Sequence, residues 1–156
     1  MKKEKNNKVS IQNRKASFEY NFIEKFEAGI VLIGAEVKSI RENGANISDA
    51  YCYVKSGEMF IKNMHISHLK NTKAEEQHEP LRERKLLLNK KEIRKISNEL
   101  KNQGLTVVPI SLYTNDRGRM KINIALSKGK RNYEKRNKIL QKQIDKEMLE
   151  KINSFK

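Results

Sequence analysis

Two alternating runs, Leu105 to Tyr113 and Arg119 to Ser127, constrain the fold of this chain more than any other feature. Val108, Ile110 and Leu112 recur at every second position in the first run, and Met120, Ile122, Ile124 and Leu126 in the second. Period two over that length belongs to strands with one face on a core, and Asn115, Asp116 and Gly118 between the runs are turn residues. The runs predict an antiparallel pair in a one-sided sheet. Tyr51 to Lys55 and Met59 to Ile66, joined through Ser56 and Gly57, give a second hairpin signal.

A third stretch, Phe26 to Arg41, changes period in the middle. Ile30 to Ile33 between Gly29 and Gly34 reads as a buried strand. From Ala35 the spacing of Val37 and Ile40, with Glu36 in the first turn, Arg41 in the last and Asn43-Gly44 as a stop, reads as a short helix. Glu27 and Glu36 flank apolar residues, and a carboxylate near a core requires a partner. Upstream, Phe18, Tyr20 and Phe22 at period two predict a strand over Phe18 to Phe26. Asn89 with Glu92 three residues on, followed by Ile93, Ile96 and Leu100, predicts the main helix, ended by Gln103 and Gly104. Leu86, Leu87 and Leu88 enter it in extended form, and Lys70 to Arg82 reads as a long surface loop.

Several antiparallel strands with short turns and a helix among them predict a mainly β fold with helices (β+α). The specific expectation is an OB-like antiparallel β-barrel with a short helix after the central strand, one main helix and a basic C-terminal tail. Beyond Gly129, Leu140, Ile144, Met148 and Ile152 recur every four residues among Lys, Gln and Asp, so 133–153 has the pattern of an amphipathic helix. Its stripe is narrow, so the expectation is a tail that is disordered free and helical when bound; a helix docked on the barrel is the alternative. The boundaries expected are 1–16 for a basic mobile arm, 17–128 for an RNA-binding barrel and 129–156 for the tail.

Charge decides the partner class. The net charge is +15, and residues 1–16 carry six Lys/Arg against one Glu while 128–156 carry ten against four acids. A near-balanced middle with two basic ends points to a polyanion, nucleic acid or ribosome, over a merely solubilising role. A single cysteine, Cys52, excludes an intrachain disulfide and reads as a buried inert thiol. No apolar stretch has the length of a membrane span or a signal peptide, so no membrane is expected and cytoplasmic location follows.

Catalysis finds little support. Glu36-Val37-Lys38 spells half of a metal-dependent nuclease site, but the upstream Pro-Asp partner is absent and a short helix accounts for both charges. His65 and His68 make a poor metal set and read as surface histidines. The expectation is no enzyme, no metal and no cofactor. RNA binding fits better, with Lys and Arg on phosphates: Asn13, Arg14 and Lys15, then Lys38 and Arg41 on the short helix, then Arg82, Arg84 and Lys85 before the main one.

Beyond these patterns, NRKA at Asn13 to Ala16, the Phe26 to Arg41 run, NISDAY at Asn46 to Tyr51, NMHIS at Asn63 to Ser67, RKLLLNKKEI at Arg84 to Ile93 and GKRNYEKR at Gly129 to Arg136 stand in one order along the chain. Together they resemble the SsrA-binding protein (small protein B) family, bacterial partners of transfer-messenger RNA. The resemblance implies that the barrel binds the tRNA-like domain of that RNA and brings it to stalled ribosomes for peptide tagging, with elongation factor Tu in the delivery complex and the protein a monomer. It implies RNA-binding roles for Asn13, Glu27 and Leu87. Glu27 would accept from base edges or ribose hydroxyls or orient a basic neighbour, with a salt bridge inside the barrel as the structural alternative. For the tail residues Lys130, Arg131, Tyr133, Glu134, Lys135 and Arg136 it implies a role in the small-subunit decoding region. The family commonly has Asp where this chain has Glu134, which keeps the charge and changes the reach. A general or ribosome-associated OB-like RNA-binding protein is the alternative reading.

Overall fold

The computed structural model describes residues 8–69, 77–102 and 104–154. In chain order the elements are β1 (Ser10–Gln12), α1 (Arg14–Glu19), β2 (Tyr20–Ile30), α2 (Gly34–Arg41), β3 (Ala45–Asn46), β4 (Tyr51–Lys55), β5 (Glu58–Lys62), β6 (His65–Ile66), β7 (Arg84–Leu87), α3 (Lys90–Glu99), β8 (Leu105–Thr114), β9 (Met120–Gly129) and α4 (Asn132–Ser154).

The two alternating runs form β8 and β9, paired antiparallel from Leu105↔Lys128 to Thr114↔Met120 with a register shift between Pro109 and Ser111. Asn115 builds their turn: its side-chain oxygen accepts from the N–H of Arg117 at 3.1 Å and of Arg119 at 2.9 Å. Every strand pairing is antiparallel. The order β8-β4-β5-β7-β2-β9, with β9 back on β8, closes the main sheet in a ring, and β1 adds to β8 beyond β4. This mainly antiparallel, closed arrangement is consistent with the OB-like expectation. Alternation sends Ile122, Ile124, Leu112, Val107, Ile61, Met59 and Leu86 inward, where all are 1% exposed or less. Ile40 of α2 and Ile96 of α3 join the same core.

Three local expectations are corrected. The helix α1 replaces the first part of the strand forecast over Phe18 to Phe26, because Asn13 caps it by accepting from the Ala16 N–H at 3.0 Å. The run Ile30 to Ile33 is not a buried strand. β2 ends at Ile30, whose partner Leu86 lies on the last rung with β7, and Val31 and Ile33 are 45% and 46% exposed. The strand lies upstream instead, where β9 offers a partner from Tyr20 to Gly29. The basic arm forecast over 1–16 is built into the fold from Ser10, since Val9 is buried and β1 pairs with β8. Residues 1–7, the 70–76 part of the expected loop and Gln103 at the expected helix end lie outside the described residues. The main helix has the forecast start, with the Asn89 amide donating to Glu92 at 3.0 Å, and it buries Ile93 and Ile96.

Candidate nucleic-acid interface

The outer face of the ring is set by the same alternation that fills its inside. On β2, Asn21, Ile23, Lys25 and Glu27 are exposed. Across the strands, Glu27 pairs with Asn123, Asn123 with Ser111 and Ser111 with Gln12, a straight row of four hydrogen-bonding side chains. Asn123 donates to the Ser111 hydroxyl at 3.1 Å. The next row runs Ser10, Tyr113, Lys121, Gly29, Leu87. Along the first row lies an open groove of about 500 Å³ with Lys25, Glu27, Gln12 and Asn123 on its walls. Glu27 is exposed, and no ion pair to it occurs among the described residues. Burial, and then the Glu27 carboxylate, push the Tyr113 phenol up to about 12, so it keeps its proton and stays a donor.

Leu87, 53% exposed, lies over the bare backbone of Gly29, where an added Cβ would stand 3.3 Å from the Leu87 Cβ. Glycine leaves room for that close approach, which a methyl would crowd. Beside them is an apolar cleft of about 330 Å³ that Ile30, Leu32 and Val37 line, with Arg119 and Lys121 at its side. An aliphatic cleft with cations at its rim suits an unstacked base and its phosphate.

Two forecast contacts are removed from this surface. Asn13 is 3% exposed and fully occupied: its amide donates to Ile47 O at 3.1 Å and to Pro109 O at 2.8 Å while its oxygen caps α1. It acts by joining α1, the NISDAY segment and the β8 bulge. Arg84 is 0% exposed. Its guanidinium donates to the Glu36 carboxylate, to Met64 O at 2.7 Å and to Arg82 O at 3.0 Å. Arg82 donates to the other Glu36 oxygen, and Glu36 accepts from the Ile33 N–H at 3.1 Å. Burial alone would raise the Glu36 pKa, but the bonds from Arg82, Ile33 and Arg84 outweigh it and hold the carboxyl below its usual range. Both oxygens are committed to guanidinium groups, so Glu36 with Lys38 is no metal-holding pair.

The other forecast cations are spread out. Arg14, Lys38 and Arg41 are exposed, Lys15 pairs with Asp49 at 2.7 Å, and Lys85 pairs with Glu58 at 3.0 Å. His65 and His68 are exposed, whereas His78 is buried and bonded to Ile66 O at 2.8 Å. Burial pushes the Cys52 thiol up, in line with an inert thiol. The residues missed from sequence are Tyr113, Lys121, Asn123 and Gln12. For Tyr113, Lys121 and Asn123 the signal was present, since they are the off-phase positions of strands whose in-phase positions are apolar; Gln12 lay in the stretch forecast as a mobile arm.

The tail begins where Lys130 N–H donates to Glu19 O at 2.8 Å. Tyr133 and Glu134 open α4, and Asn21 donates to the Glu134 carboxylate at 3.0 Å. Arg131 and Arg136 are exposed and Lys135 half-buried. Ile139, Leu140, Ile144, Met148, Leu149 and Ile152 are all exposed, so the apolar stripe covers nothing among the described residues. No described helix is long and apolar enough to cross a membrane.

Comparison with known proteins shows the family. The family model described as SmpB protein matches residues 10–154. An SsrA-binding protein of Wolbachia pipientis subsp. Culex pipiens is 52% identical over 139 residues, 89% of this chain and 93% of that one. Another, from Cytophaga hutchinsonii, is 51% identical over 140 residues, 90% of this chain and 91% of its own. A third, from Thermosipho africanus, is 45% identical over 148 residues, 95% and 96% of the two chains. A solved structure described as "tmRNA-SmpB: a journey to the center of the bacterial ribosome" is similar with TM-score 0.67 and 35% identity, covering 79% of this chain and 85% of that one.

Proposed function

This chain belongs to the SmpB family, and from that premise we propose that it binds the tRNA-like domain of transfer-messenger RNA and delivers it to stalled ribosomes for trans-translation. The match of the family model over residues 10–154 carries this reading, because it spans the ring and the tail together. The β1-β8-β9-β2-β7 wall takes the RNA, with Glu27, Lys25 and Asn123 in the groove and Leu87, Tyr113 and Lys121 on the next row. Arg14, Lys15, Lys38, Arg41 and Lys85 supply exposed or half-buried cations around it, and Asn13 and Arg84 hold the framework. Lys130, Arg131, Tyr133, Glu134, Lys135 and Arg136 act in the decoding region. The family is one of RNA-binding proteins, and the chain works here as a binder without a cofactor. It acts as a monomer in the cytoplasm, with elongation factor Tu in the delivery complex.

Competition tests the reading. A synthetic tRNA-like RNA bound by the full chain should resist displacement by an equal concentration of unrelated hairpins; equal displacement would leave only general RNA binding. Binding should also fall steeply with salt, each neutralised phosphate adding roughly 0.7 to 0.9 to the log-log slope.

A further inference from the structure

Two lysines from different turns of the tail meet at one backbone oxygen of the body. Lys130 Nζ donates to Ser17 O at 3.1 Å and Lys138 Nζ donates to the same oxygen at 2.5 Å. Ser17 lies in the last turn of α1, where carbonyls lack helical partners and favour a cation. One ammonium satisfies that need. A second brings like charges together, and neither lysine forms an ion pair with a described acid. The nearby Glu134 accepts from Asn21. Burial first, and then Lys130, hold the Lys138 pKa below its usual value, which marks the pair as short of negative charge.

We propose that Lys130 and Lys138 form a clamp for one backbone phosphate of the RNA, at the seam between the ring and α4. The inference rests on the RNA-binding reading and adds a site to it, assigning Lys130 to the captured RNA at the seam rather than to the decoding region. Each ammonium has three donors, so each can keep Ser17 O and still reach a phosphate oxygen. The seam is also on the path of an RNA strand leaving the groove. The exposed positions Glu27, Lys25, Ile23 and Asn21 run along the outer face of β2 from the groove to the Asn21–Glu134 contact, a distance of roughly 20 Å at the strand rise of about 3.3 Å per residue. A phosphate held there bridges Lys130, two residues before α4, and Lys138 in its second turn to the end of α1. RNA capture would thereby fix the direction in which the tail leaves the ring.

The full chain and a synthetic tRNA-like RNA provide the test, read as the salt dependence of affinity. Replacing both Lys130→Gln and Lys138→Gln should lower the log-log slope by roughly 0.7 to 0.9, the share of one phosphate. Lys138→Arg should keep it. A control of equal charge loss, Lys90→Gln with Lys91→Gln on the exposed start of α3, should leave the slope unchanged. An unchanged slope in the Lys130/Lys138 variant, or an equal fall in the α3 control, would overturn the clamp. If the unaltered chain itself shows no preference for the tRNA-like RNA over an unrelated hairpin, the parent reading fails first, and that result is visible without any variant.

Discussion

Glu36 and Glu27 are nine residues apart and do opposite work. Glu36 neutralises a guanidinium that the fold has sealed from water, so its replacement by Gln leaves Arg84 charged and uncompensated. The expected loss is about 3 to 5 kcal/mol, a fall in thermal midpoint of about 6 to 20 °C for a chain of this size. The pH dependence has a definite sign. The folded carboxyl has a lowered pKa, so its stabilisation is full above the unfolded value of about 4.3 and disappears as pH falls through the folded one. Thermal melts of the parent and Glu36→Gln should therefore converge on acidification below about pH 4; a constant gap would mean that the ionised carboxylate is not what stabilises. Glu27, by contrast, is exposed. Glu27→Gln should change stability by no more than about 0.5 kcal/mol while weakening RNA binding. Lost stability with unchanged binding would make Glu27 a structural residue. The sequence foretold that a carboxylate near the core needs a partner, but it offered Arg84 as an RNA contact. Pairing across 48 residues is a tertiary fact that no local pattern carries.

At the scale of elements, strands whose partners lie next in sequence were legible. The β8–β9 and β4–β5 hairpins follow from period two and their turn residues. Elements decided by distant groups were not. α1 exists because Asn13, anchored on Ile47 and Pro109, offers a cap to a segment whose aromatics fit a strand equally well. The apolar run after Gly29 leaves Val31 and Ile33 exposed because the ladder with β7 ends at Ile30, while Ile30 and Leu32 pack against the core and line the cleft beside Leu87. That cleft makes a prediction about backbone approach. Gly29→Ala would set a methyl 3.3 Å from the Leu87 Cβ, tight enough to displace Leu87 by a few tenths of an ångström. RNA affinity should fall while the melting temperature stays within a few degrees, because the moved side chain is at the surface and the lost backbone freedom of glycine offsets strain by about 0.5 to 1 kcal/mol. Unchanged affinity would remove the Leu87 cleft from the interface. The stripe on α4 behaves differently again: Leu140→Gln with Ile144→Gln should leave the melting transition where it is, since both side chains are already exposed, and should reduce peptide tagging if the stripe is buried on the ribosome.

For the whole molecule, charge and apolar periodicity divide at Gly129. The ring closes its own hydrophobic surface, whereas the tail carries ten Lys/Arg against four acids from Lys128 onward and an apolar stripe that the ring leaves uncovered. Its described hydrogen bonds to the body lie at its first turns, through Lys130, Glu134 and Lys138. Such contacts exclude little water and contribute little to stability, so the helix beyond them should open readily in the free protein. A basic groove-binding segment that orders on ribosomal RNA would spend about 2 to 5 kcal/mol or more of its interaction energy on that ordering. A chain stopped after Gly129 keeps every strand of the ring. It should therefore retain most of its affinity for the tRNA-like RNA, less the electrostatic share of the tail, and should fail to support peptide tagging on stalled ribosomes. Lys135→Ala with Arg136→Ala should reproduce much of that failure in the full chain, because both charge and directed donors are lost where phosphates would be contacted. Amide exchange supplies the independent check: residues 140–150 of the free chain should exchange far faster than the β8–β9 pair. Strong protection of the tail in the absence of ribosomes, or full tagging by the shortened chain, would overturn this division of labour.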